Sequence, residues 1–150
     1  MDSDYIYEDG TALLVASADN DKGTIECHYI DLRGNEPMKK TTKIHEKARG
    51  GFARLTLVRA IQEKNIMFLV ATYKEDKGAL LFKITATSQA VTAELLLDLN
   101  DAHRASLVSV STPIGSEAIP YTGTFMLYTK KGSPSRIRWI SVSDTAKQGD

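Results

Sequence analysis

The residues of this chain that could do nucleophilic or metal chemistry are few: three histidines (His28, His45, His103), one cysteine (Cys27), and serines and threonines spread along the sequence. Their spacing argues against an assembled site. Cys27 and His28 are adjacent, so on a strand they point to opposite faces and cannot hold one metal ion together. Neither a Cys-x-x-Cys nor a His-Glu-x-x-His pattern is present. Ser106 or Ser109 could be recruited with His103 into a nucleophilic pair, but no Gly-x-Ser-x-Gly elbow accompanies them. The glycine pair in Lys47-Ala48-Arg49-Gly50-Gly51-Phe52 lacks the spacing and the Lys-Ser/Thr ending of a phosphate-cradling loop. It reads better as a joint between two folding units. The sequence therefore gives no catalytic residues, no metal ligands and no cofactor.

Charge offers more. Lys39, Lys40, Lys43, Lys47, Arg49 and Arg54 form a basic run. One reading is a solvated outer strand and linker whose lysines guard a sheet edge against unwanted pairing. The other is a patch for an acidic protein, a phosphopeptide or an anionic lipid, and these six are the candidate binding residues. Net charge is zero, with 19 basic and 19 acidic residues. Its distribution is uneven, because residues 1–36 carry two basic against nine acidic residues and residues 37–85 carry eleven against four. A non-specific nucleic-acid binder is normally basic overall, so no specific nucleic-acid partner is expected.

The elements that must position these residues are visible as a repeat. Leu14-Val15-Ala16-Ser17-Ala18-Asp19-Asn20-Asp21-Lys22-Gly23 aligns with Leu69-Val70-Ala71-Thr72-Tyr73-Lys74-Glu75-Asp76-Lys77-Gly78 at an offset of 55, with six of the ten positions identical. A weaker third copy begins at Phe125-Met126-Leu127-Tyr128-Thr129, offset by 57 from Phe68, and there Trp139 falls on Phe82. Each copy reads as a meander of short strands rich in Val, Ile, Leu, Thr and aromatics, separated by polar connections. In the middle copy the strands are 54–58, 66–72, 79–85 and 91–99. Glycines 23, 78 and 132 suit connections that need positive φ, and Asp9-Gly10 predicts a tight hairpin turn. Residues 90–107 are rich in Ala, Leu and Glu and could be written as a helix. The β-branched Val91 and Thr92, and the unhelical matching stretch 38–44, favour strands.

Certain short runs extend the pattern: Lys22-Gly23-Thr24-Ile25 leading to Tyr29 through Asn35, Phe82-Lys83-Ile84-Thr85, Trp139-Ile140-Ser141-Val142, and Ala102-His103 four residues before Leu107. In these features, over roughly residues 5–144, the chain resembles WD-repeat-like propeller blades, although no copy keeps an intact Trp-Asp pair. Ser17-Ala18-Asp19-Asn20-Asp21-Lys22-Gly23-Thr24 also approximates the Ser-x-Asp-x-Gly-x-Thr-Trp turn of Asp-box sialidase blades, with two extra residues.

Together these readings predict an all-β chain forming one unit, residues 1–150. It would contain about three four-stranded antiparallel meander blades, approximately 5–48, 49–101 and 102–144, with the last incomplete. Three blades are too few to close a ring, so further blades or a partner chain would complete it, or the segment would self-associate. The expected role is a non-enzymatic protein–protein interaction scaffold. Alternatives are a closed up-and-down barrel of about ten strands around an apolar ligand, a β-trefoil, and a sialidase-like carbohydrate-binding propeller. The acidic start Met1-Asp2-Ser3-Asp4, the lone cysteine and the lack of a long apolar run predict an intracellular protein, cytoplasmic or nuclear, without a membrane span.

Overall fold

In the computed structural model, residues 2–6, 12–46, 50–60, 63–110 and 123–144 are described. Among these residues eleven strands run in chain order: β1 (Asp2–Ile6), β2 (Ala12–Asp19), β3 (Thr24–Asp31), β4 (Met38–His45), β5 (Phe52–Arg59), β6 (Ile66–Tyr73), β7 (Ala79–Ala86), β8 (Val91–Leu99), β9 (Ala102–Val110), β10 (Gly123–Lys130) and β11 (Arg136–Ile140). They form three antiparallel meanders: sheet A, β1-β2-β3-β4; sheet B, β5-β6-β7-β8; and sheet C, β9-β10-β11. The all-β expectation holds, and residues 91–110 are two strands with no helix. The closed barrel is overturned, because pairing stops at β4 and β8 instead of continuing around a ring. Glycines 23, 78 and 132 all have positive φ, as their turns required. The Asp9-Gly10 turn lies outside the described residues.

The three sheets stack face to face in the same strand order, with β1 against β5, β5 against β9 and β4 against β8. Burial explains why. Alternate side chains of a strand leave opposite faces, and sheet B is apolar on both. Met67, Leu69, Ala71 and Tyr73 of β6 join Leu80, Phe82 and Ile84 of β7 in a core shared with Leu14, Ala16, Ile25, Cys27 and Tyr29 of sheet A. Phe68, Val70, Ala79 and Leu81 leave the other face and meet Ala105, Leu107, Met126, Tyr128 and Ile140 of sheet C. Every residue of β6 from Met67 to Tyr73 is buried. In sheet A, by contrast, β2 alternates buried and half-buried from Ala12 to Ser17, so only one face is fully covered.

Polar contacts fix how the sheets seat on one another. The Asn20 side chain, at the β2–β3 turn, accepts the Phe52 N–H at 2.8 Å. A Cβ added to Gly51 would stand 3.2 Å from the Asn20 Cγ, so the joint into sheet B has little room for a larger residue. Lys40 donates to the Gln89 carbonyl across the outer A–B seam. On the B–C seam, Lys83 donates to the carbonyls of Val142 and Asp144, and Ser109 donates to that of Arg59 at 3.0 Å.

The sequence repeat and the spatial repeat differ by one residue. Register pairs Leu14 with Tyr29 in sheet A and Phe68 with Lys83 in sheet B, an equivalence of 54 and not 55. Side-chain period is two, so one residue exchanges the faces. Leu14 and Leu69, matched by identity, therefore face each other within the same core. Sheet C shows a similar shift. Trp139 lies opposite Phe125 while Phe82 lies opposite Leu69, so Trp139 leaves the outer face instead of turning inward as Phe82 does.

Two-sided burial makes a definite pattern of truncation costs. Leu69→Ala and Phe68→Ala, on opposite faces of β6, should each destabilise by about 2–5 kcal/mol in urea unfolding. Leu127→Ala, on the outer face of β10, should cost less than about 1 kcal/mol. Equal costs for Leu127 and Leu69 would contradict the stacking.

Candidate functional site

The basic run does not form one patch. Lys39 and Lys43 pair with Ile30 and Glu26, placing them on the outer face of sheet A, whereas Lys40 pairs with Tyr29 and faces sheet B. Lys43 also makes an exposed ion pair with Glu46, 3.2 Å apart. Lys47 and Arg49 lie outside the described residues. Arg54 belongs to a different place, the seam between sheets B and C.

Two polar constellations emerge instead. The first crosses the outer face of sheet A. The His28 ring hydrogen-bonds Ser17 through Nε2 at 2.8 Å and Thr41 through Nδ1 at 2.9 Å, bridging β2, β3 and β4. Cys27 points the other way into the core, as adjacency on a strand requires. Burial pushes its thiol up to about 12. His28 is held below its usual 6.5, first by partial burial and then by the nearby Lys39 charge, with Glu26 pulling the other way. A serine bonded to an imidazole that a third group orients is the opening arrangement of nucleophilic catalysis. Here it lies on a half-exposed strand face of a sheet. The network reads as a cross-strand tie.

The second constellation is a cleft of about 410 Å³ where β5, the end of β6 and the start of β9 meet. Each bordering first strand carries a bulge. Pairing jumps from Phe52↔Tyr73 to Arg54↔Thr72, skipping Ala53, and from Lys130↔Ala102 to Thr129↔Arg104, skipping His103. A bulge bends its strand and re-aims a side chain. The floor is the 3₁₀ turn Lys74–Asp76, whose Glu75 and Asp76 adopt φ of 60° and 56°. Left-handed backbone at two successive non-glycine residues is strained by roughly 1–2 kcal/mol each. The turn is held by Lys74 N–H on the Gly51 carbonyl, Tyr73 N–H on the Gly78 carbonyl, and stacking of Tyr73 on Phe52 at 4.6 Å. Asp76 Oδ2 lies 3.0 Å from His103 Nδ1.

The pairing of His103 with Ser106 or Ser109 is not made. His103 is engaged by Asp76, and Ser109 stands six residues up β9, bonded to Arg59 and Thr124. The Asp-box-like stretch has a local explanation too. Asp19 Oδ1 accepts the Asp21 and Lys22 N–H groups, capping the β2–β3 turn. Sequence reasoning missed both constellations because each unites residues far apart in the chain. Only strand alternation, which sets Ser17 and His28 opposite the buried Ala16 and Cys27, hinted at the first.

No protein-family model, curated protein or solved structure matches this chain.

Two measurements check these environments. Iodoacetamide at mildly alkaline pH should leave Cys27 unmodified in the folded protein and alkylate it once urea unfolds the chain. Ring-proton NMR should give His28 a midpoint below 6.5, raised by Lys39→Gln and lowered further by Glu26→Gln. The unfolded chain takes up that proton first as pH falls, so His28 stabilises the fold above about pH 6.5 and the contribution fades below it.

Proposed function

We propose that this chain is a run of propeller-like blades acting as a non-enzymatic protein–protein interaction scaffold, with the outer face of sheet C covered by a further meander sheet of the same kind. The observation that carries this reading is the outer face of sheet C. Val108, Leu127, Ile137 and Trp139 are 44, 40, 71 and 43% exposed. Register places them together with Phe125 on one side of β9-β10-β11. Phe125 and Trp139 rings lie 5.5 Å apart. A contiguous apolar face of this kind marks an interaction surface. The partner's chemistry follows from the stack, because sheet B already covers the opposite face of sheet C with Phe68, Val70, Ala79 and Leu81. A further apolar sheet repeats that contact on the other side.

The resemblance to WD-repeat-like blades supports the same reading, as does the common strand order of the three sheets. A binding role fits the open, half-exposed setting of Ser17 and His28 better than catalysis does. Among the described residues no helix is long and apolar enough to cross a membrane. An intracellular location remains part of the proposal, resting on the lone cysteine.

Analytical ultracentrifugation tests it. The isolated chain should self-associate with rising concentration and bind an apolar dye. The double variant Leu127→Lys/Ile137→Lys should do neither while unfolding at the same temperature. A wild-type chain that stays monomeric and dye-free across the micromolar to millimolar range would overturn the proposal.

A further inference from the structure

We infer that the cleft between sheets B and C binds a phosphate monoester group. Arg54 and Arg104 both line it, and neither guanidinium has a hydrogen bond or ion pair among the described residues. The acids beside them are already engaged: Glu75 lies 3.4 Å from Lys77, and Asp76 is bonded to His103. The cleft thus gathers three cationic side chains, Arg54, Lys74 and Arg104, against the two carboxylates of Glu75 and Asp76.

A second, independent observation points the same way. Thr72 is 7% exposed, lines the cleft, and its Oγ1 has no hydrogen-bond partner. A buried hydroxyl left without a partner costs free energy, so one without a partner asks for a ligand or a water. The neighbouring bulges explain why this spot is polar at all. They take Ala53 and His103 out of the ladder just where the two apolar faces would otherwise close, and Arg54 pairs with Thr72 in the register that results.

Two arginines and one hydroxyl fit a particular charge. A phosphate monoester carries about −1.5 to −2 at neutral pH and three acceptor oxygens. Guanidinium forks match such oxygens in bidentate fashion. A carboxylate offers one oxygen fewer and a smaller charge to the same two forks. Neither the cleft nor its residues belong to the apolar face of sheet C, so this inference stands or falls separately from the scaffold reading.

Chemical-shift mapping of the intact chain tests it, with phenyl phosphate, benzoate and a phosphoserine peptide as probes. Phenyl phosphate should give saturable shifts at the amides of Thr72, Asp76 and His103, and Arg54→Gln and Arg104→Gln should each weaken binding by about tenfold. Both side chains are exposed, so an unchanged unfolding midpoint should confirm that each variant remains folded. Tighter binding of the peptide than of phenyl phosphate assigns the group to a phosphorylated protein, and the reverse assigns it to a small phosphate ester; either supports the site. No saturable shift at about 10 mM phenyl phosphate, equal response to benzoate, or shifts that survive in both variants would overturn it.

Discussion

A sheet with two apolar faces cannot exist alone in water, and that constraint governs this molecule. The central strands β6 and β7 alternate large aliphatic and aromatic side chains to both sides. Near-continuous hydrophobic strands of this kind are expected only where both faces are covered. Sheets A and C are therefore as much a lid and a base for sheet B as folding units in their own right. Burial of apolar area supplies the attraction, but it has no direction.

Direction comes from the seams. Asn20 on the Phe52 amide, Lys40 on the Gln89 carbonyl, Ser109 on the Arg59 carbonyl and Lys83 on the carbonyls of Val142 and Asp144 each join a side chain of one sheet to the backbone of the next or of its following turn. Sliding one sheet over another would strand the part-buried bonds of Asn20 and Lys83, and a stranded half-buried polar group costs about 1–3 kcal/mol. The same requirement shapes the cleft. Bulges in β5 and β9 interrupt the ladder where the stack would otherwise be seamless, and polar side chains occupy the opening.

Much of the fold was legible in the sequence, because two-residue periodicity and turn glycines are local signals. The strands 66–73, 79–86 and 91–99 fall where the runs of Val, Ile, Leu and aromatics placed them, and Val91 and Thr92 correctly outweighed the helix-forming composition after them. The exact spatial repeat was not legible. Identity locks turn onto turn at Gly23 and Gly78, whereas the strands settle one residue away, a difference that only cross-strand register decides. The site residues were the least legible. The basic run looked like one patch because its members are neighbours in sequence, yet Lys39 and Lys40 leave opposite faces of β4 and Arg54 begins another sheet. His103, Thr72 and Arg104 meet only through the stacking of sheets B and C, which no local spacing encodes.

The single tryptophan of the chain stands on the outer face of β11. Its indole is thus a built-in optical gauge. With 43% of its surface exposed, it would emit further to the blue if an apolar surface covered β9-β10-β11. Any occupancy of that face would then be legible from light alone, with no label attached and no residue changed.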